Sequence, residues 1–315
     1  MPGERSKSSG EYGEKIAAGL LDLIGWNSRR NGVDINCIMP NSHVGANGNP
    51  RQTHGVDYIV QYNDPLASLQ TTNLLISVKH RESYPATPAL RVSKFKEFLK
   101  DIAEAAECFP SAANEFPPIS GTTSIRNICV ILWINEAADA LNTSVIPDIA
   151  TFRNTDKVAF DTVYLVDNRQ AAFLHDSIKY AQNSDVSFCF YYPDTGSNMN
   201  TVQRIHQGKI LPVEYVTSPI LLFKLSSTEG NKLLLTTSQQ YSKERLSRIL
   251  QLARLITENW ASGITIAFRD YRDYDSKAEV EACLNELHDP AFKRQVQVVN
   301  LPADDFRNMG GNNNA

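Results

Sequence analysis

The sequence holds no apolar run long enough to span a bilayer. Its opening stretch, Met1 to Gly10, is polar where a secretory leader needs an apolar centre, and it reads as a flexible start. The short cofactor signatures are missing too. There is no G-x-x-x-x-G-K-[ST] loop and no G-x-G-x-x-G after a strand, which removes support for nucleotide-binding folds of those types. Neither G-x-S-x-G nor H-E-x-x-H occurs. Cysteine is sparse: Cys37, Cys108, Cys129, Cys189 and Cys283 make an odd set of five with no C-x-x-C pair. That usage reads as reduced, mostly buried thiols of a cytoplasmic protein, neither a disulfide framework nor a zinc site. The six histidines (His43, His54, His80, His175, His206, His288) are scattered, and each reads as a surface or packing residue, His80 being a partial exception because it follows Lys79. A formal net charge of −4 excludes a broadly basic nucleic-acid coat but leaves room for a local basic patch.

What is present is enough apolar residue, 42%, for globular cores in a 315-residue chain, and that length favours two domains. Apolar spacing predicts a helix over Glu11 to Ile24, with Ile16, Leu20, Leu23 and Ile24 on one stripe. A strand over Val33 to Met39 and a polar loop to Arg51 follow. Ser93 reads as the N-cap of a helix to about Cys108, buried through Phe95, Phe98, Leu99, Ile102 and Ala106. Ile128 to Ile134 is a continuous apolar run, as in a strand covered on both faces. The periodic pattern fades near residues 140 to 157 and then resumes as a second alternation of strands and helices. The division read from this is 1–10 flexible, 11–150 a first domain, 151–308 a second α/β domain, and 309–315 a disordered tail. In the second half Leu211 to Val216 reads as a strand, and Ser276 to Glu279 as a capping box.

The stretch Gly55 to Lys79 organises the first half. Two Val- and Ile-rich runs flank a polar segment containing Pro65, the pattern of two antiparallel strands. Side chains alternate along a strand, so Asp57, Ile59 and Gln61 share one face, and Ser77 and Lys79 share a face of the next strand. If those faces coincide, a carboxylate, an amide, a hydroxyl and an ammonium converge. Such a group is costly to desolvate without a counter-ion, which a metal ion and a phosphate would supply. Between Lys79 and Lys100 stand six basic residues (Lys79, Arg81, Arg91, Lys94, Lys96, Lys100) against the acids Glu82 and Glu97. Most charge runs of this kind are solvated helix faces; beside the polar cluster, the run also suits contact with a phosphate backbone. On spacing alone, Glu14 is a solvated carboxylate near a helix start, favoured there by the dipole.

Taken in order, Glu14 on a helix, Gly55-Val56-Asp57 on a strand and Ser77-Val78-Lys79 on the next strand, with a helix following, resemble the PD-(D/E)XK nucleases. The resemblance implies an α/β fold: a restriction-endonuclease-like core, a mixed sheet flanked by helices, followed here by a second α/β domain. It implies a metal-dependent endonuclease acting on DNA, with Mg²⁺ or Mn²⁺ held by Glu14, Asp57 and the Val78 carbonyl. Lys79 would serve the attacking water, with Ser77 and Gln61 as polar helpers, and Arg81, Arg91, Lys94 and Lys96 would face the nucleic acid. Ser77 departs from the family's pattern by standing where an acid is usual, with Glu97 a candidate substitute. By analogy the chain looks like a bacterial or phage-encoded defence component working with a co-encoded protein partner or as a homo-oligomer. Two rivals remain open: a catalytically inactive nucleic-acid-binding subunit, and a structural subunit in which Asp57 and Lys79 form a buried ion pair.

Overall fold

The computed structural model describes residues 2–45, 48–153, 159–184, 187–193, 205–228, 230–257 and 260–310, with the backbone alone for 2–9 and 310. The chain forms two compact units, Met1–Ala171 with Arg307–Ala315, and Ala172–Phe306.

The first unit runs α1 (Pro2–Leu23), β1 (Arg29–Asn36), β2 (Thr53–Asn63), β3 (Gln70–Arg81), α2 (Pro88–Cys108), β4 (Ser124–Asn135), α3 (Ile146–Ile149) and β5 (Val163–Asp167). Its sheet is mixed, in the order β1-β2-β3-β4-β5. The pairs β1–β2 and β2–β3 are antiparallel, while β3–β4 and β4–β5 are parallel. Every residue from Ile128 to Ile134 is buried, as the unbroken apolar run predicts, because helices cover both faces. α1 packs on β3 and buries Ile16, Ala17, Leu20, Leu21 and Ile24. α2 covers the other face, with Phe95, Phe98, Leu99 and Ile102 against Ile59, Leu75, Ile131 and Trp133. Each such side chain contributes about 1.5–3 kcal/mol by leaving water.

Several boundaries differ from the sequence reading. β1 ends at Asn36, so Cys37 and Met39 lie beyond it. α2 opens six residues before Ser93: Thr87 is the N-cap, its hydroxyl accepting the Leu90 N–H, and Pro88 follows. A proline in the first helical turn costs nothing, since that N–H has no partner within the helix. Pro88 is therefore the first residue of the helix. β5, which the composition shift assigned to the second half, is the fifth strand of the first sheet. α1 extends back to Pro2. Of the expected tail, Met309 and Gly310 belong to a 3-10 helix, Phe306–Gly310, while 311–315 lie outside the described residues. Buried Arg307 in this helix donates to the carbonyls of Asn135, Glu136 and Ala137, and Tyr12 Oη donates to its own carbonyl.

The chain enters the second unit within α4 (Asn168–Gln182). There follow β6 (Ser187–Tyr191), β7 (Gln207–Gly208), β8 (Ile220–Ser227), β9 (Gly230–Thr237), α5 (Lys243–Thr257), β10 (Gly263–Phe268), α6 (Asp273–Glu286), α7 (Pro290–Gln295) and β11 (Val296–Asn300). The sheet order is β11-β10-β9-β8-β6-β7, parallel from β9 to β11 and antiparallel elsewhere. Leu211 to Val216 holds no strand but a short 3-10 turn, Val213–Tyr215, after Pro212, which has no N–H to give a ladder. α6 begins at Asp273, ahead of the expected capping box. Asp176 is buried in this unit, where it accepts from Arg269 and the Asp304 N–H. The whole is an α/β fold: a restriction-endonuclease-like mixed sheet between helices, then a second α/β domain.

Candidate active site

The ladder between β2 and β3 stops at Tyr58 opposite Ile76. Beyond that pair the strands part, while β3 stays bonded to β4 as far as Arg81. The N–H of Val78 therefore lacks a β2 partner, and the carboxylate of Asp57 takes it: Oδ2 accepts at 2.6 Å. Oδ1 of Asp57 has no hydrogen-bond partner among the described residues.

The helix that carries Glu14 is fixed to the same place by its backbone. Tyr58, next to Asp57, is 5% exposed and donates its hydroxyl to the Glu14 carbonyl at 3.0 Å. Gly13 lies against His80, next to Lys79. A Cβ on Gly13 would fall 2.4 Å from the His80 side chain, so only glycine permits this approach. One turn of α1 thus rests on the chain neighbours of Asp57 and of Lys79. Glu14 itself is exposed. Electrostatics tell the same story. The Tyr58 hydroxyl is pushed above its usual value by burial first, then by the carboxylate of Glu14, with Arg29 opposing and Asp57 and Asp22 adding smaller effects. Both predicted carboxylates act on one hydroxyl.

Ser77 and Lys79 point to the α2 face of β3. Ser77 is 5% exposed, and it brings a hydroxyl and no second carboxylate to β3 beside Lys79. The Lys79 ammonium lies 5.3 Å from the centre of the Phe98 ring, which itself meets Trp133 edge-on. Among the described residues no ion pair joins Lys79 to Asp57. The buried pair required by the structural-subunit reading is absent.

Gln61 stands apart. Its amide donates to Asn73 at 2.9 Å and to the Pro117 carbonyl at 3.0 Å, and Asn73 continues the ladder to Asn127. Four residues of strand put it about 13 Å from Asp57. The basic run is partly neutralised. Arg91 pairs with Asp148 and with the Pro85 carbonyl, Lys94 pairs with Glu97, and Lys96 sits over Phe152. Glu97 is thus engaged with a lysine, and Arg81 is exposed.

A second constellation corrects the reading of the cysteines and histidines as unrelated side chains. Cys37, His43, His54 and Cys108 bring their ligand atoms within 4.8 Å of one another, a group able to hold a metal ion. They come from the residue after β1, the β1–β2 loop, β2 and the last residue of α2. No local spacing announces them. Burial, aided by His43 and Arg51, lowers the His54 imidazole to about 4.

A mixed five-stranded sheet between two helices, with an acid of β2 capping the strand that carries a lysine, defines a restriction-endonuclease-like core. The family model described as the GAPS4 protein PD-(D/E)XK nuclease domain matches residues 1–170, and the chain belongs to that family. No curated protein matches the chain.

Proposed function

We propose that the chain is a metal-dependent endonuclease that hydrolyses DNA phosphodiester bonds, with Glu14, Asp57 and Lys79 as its working residues. The supporting observation is the turn of α1 seated on Tyr58 and His80, because it sets the backbone of residues 13 and 14 against the chain neighbours of Asp57 and Lys79. The donors suit a hard ion. Glu14 and Asp57 offer carboxylate oxygens, one Asp57 oxygen is unengaged, and the Val78 carbonyl is adjacent; Mg²⁺ or Mn²⁺ takes such a set and keeps waters. Bound there, the ion would polarise the scissile phosphate and acidify a water.

The rest is done by the chain. Asp57, held by the Val78 N–H, presents its free oxygen in a fixed direction. Lys79, its ammonium 5.3 Å from the Phe98 ring centre, can orient the attacking water and offset charge on the phosphate. Exposed Arg81 stands nearest to Lys79 in sequence; Lys96 lies over Phe152, and Arg91 and Lys94 would have to leave Asp148 and Glu97 to reach a strand. Gln61 has no part in this reading.

We further propose, by analogy with nucleases of this superfamily, a cytoplasmic role in bacterial anti-phage defence with a co-encoded protein partner, the second unit serving partner, oligomer or substrate contacts. Among the described residues no helix is long and apolar enough to cross a membrane. One observation favours a second reading. The buried hydroxyl of Ser77 replaces an acid, so the fold could bind DNA without cutting it. Plasmid incubated with the chain and Mg²⁺ or Mn²⁺, with and without a co-expressed partner, decides between them. Metal-dependent nicking or linearisation supports the nuclease. Salt-sensitive binding with no cleavage under any condition supports the inactive binder.

A further inference from the structure

We propose that Cys37, His43, His54 and Cys108 form a structural Zn²⁺ site, separate from the Asp57 centre. Tetrahedral zinc, with bonds of about 2.3 Å to sulfur and about 2.05 Å to nitrogen, sets ligand–ligand edges of about 3.8 Å for S–S, about 3.6 Å for S–N and about 3.3 Å for N–N. Four of the six edges have about these lengths, and all the ligand atoms lie within 4.8 Å of one another. The two sulfurs lie 3.9 Å apart. His43 Nδ1 is 3.5 Å from Cys37 Sγ and 3.4 Å from Cys108 Sγ. His43 Nδ1 and His54 Nε2 are separated by 3.2 Å. A disulfide, with its bond of about 2.05 Å, is not what this spacing describes, and both cysteines are free.

The surroundings are those of a ligand set. The remaining nitrogen of His43, Nε2, meets the Glu107 carboxylate at 3.1 Å, the contact that fixes a ligating imidazole's orientation and tautomer. His43, His54 and Cys108 are each at most 3% exposed. Thiolate and imidazole donors select Zn²⁺ and leave Mg²⁺ to the oxygen site. On binding, each thiol releases its proton to solvent, so two thiolates and one Zn²⁺ leave the buried site uncharged and desolvation cheap.

Such an ion would tie the end of β1, the β1–β2 loop, β2 and the end of α2 at one point. The same loop is already held by Arg51, which pairs with Asp101 and Glu104 of α2. His54 stands three residues before Asp57 on β2, so the tie also steadies the strand that carries the acid.

The full-length chain, purified without chelator, should contain one zinc per chain by elemental analysis, and Cys37→Ser with Cys108→Ser should lose it. Peptide mapping after thiol labelling of the folded wild type should find Cys37 and Cys108 protected, and labelled once a strong chelator is added. Zn²⁺ should restore the melting temperature that the chelator lowers, and Mg²⁺ should not. Should the double variant fail to fold, Co²⁺ replacement in the wild type decides: a tetrahedral thiolate spectrum upholds the site. Metal-free folded protein whose two thiols react equally with and without zinc overturns it. None of these readouts involves DNA cleavage, so the site and the nuclease reading stand or fall separately.

Discussion

The Asp57 carboxylate accepts the backbone N–H of Val78 at 2.6 Å, and this bond closes the gap where β2 leaves β3. A carboxylate that caps a strand is structural as well as chemical. Asp57→Ala should therefore lose about 1.5–3 kcal/mol of stability, the range for a hydrogen bond to a charged group. Asp57→Asn keeps an acceptor and should lose less than half of that. Urea unfolding of the two variants beside wild type checks the ordering.

Lys79 offers a cleaner separation of roles. Its ammonium meets the Phe98 ring at 5.3 Å, a contact worth about 0.5–1 kcal/mol at a partly exposed position. Lys79→Met should melt close to wild type and lose about 10²–10⁴-fold in cleavage rate, the usual reach of a positioned acid–base group. A folded Lys79→Met that cleaves at the wild-type rate would remove this lysine from the chemistry.

How far the sequence discloses this arrangement depends on the distance over which each feature is encoded. The β2–β3 pair and the face shared by Ser77 and Lys79 follow from period-two alternation, a local property. The burial of Ile128 to Ile134 is legible from an equally local signal, the unbroken apolar run of a strand covered on both faces. Alternation specifies a face and says nothing of position along it, so Gln61, on the expected face, belongs to the distant Asn73–Asn127 ladder. The sheet that a strand joins is a long-range matter, and β5 pairs with β4 across a stretch that composition marked as a boundary. The Cys/His group is the extreme case. Its members come from separate parts of the first unit, and no motif spacing links Cys108 to the other three. The start of α2 is encoded by Thr87 and Pro88, a cap and a first-turn proline that lie ahead of the apolar stripe and of Ser93.

Arg307 is the latch of the first unit's end segment. It is 8% exposed and serves three carbonyls, those of Asn135, Glu136 and Ala137. Arg307→Ala takes this donor from the Glu136 carbonyl, while the Asn135 and Ala137 carbonyls keep the Asn168 amide and the Ala140 N–H, and should cost about 1–3 kcal/mol; Arg307→Lys, with a single point of charge, should recover part of it. Hydrogen exchange at the end of β4, faster in Arg307→Ala than in Arg307→Lys, tests the latch directly.

Alkaline pH should destabilise the second unit. Burial pushes the hydroxyls of Tyr215, Tyr241 and Tyr271 up to about 12. These are acids whose folded-state value is raised. From about pH 10 the unfolded chain loses these protons while the folded chain keeps them, so the unfolded state binds fewer protons and stability falls as pH rises. Ultraviolet tyrosine titration should show a class that ionises only as the chain unfolds. A single titration centred at the ordinary phenol value in folded protein would contradict this.

The most direct test of the nuclease site is the Mg²⁺-dependent cleavage rate of plasmid DNA by wild type and by Asp57→Asn, measured side by side on protein shown to be folded and with any required partner present. The wild type should cut only with the divalent ion, and the variant should be at least about 10²-fold slower at every Mg²⁺ concentration. Equal rates for the two proteins would place the chemistry elsewhere.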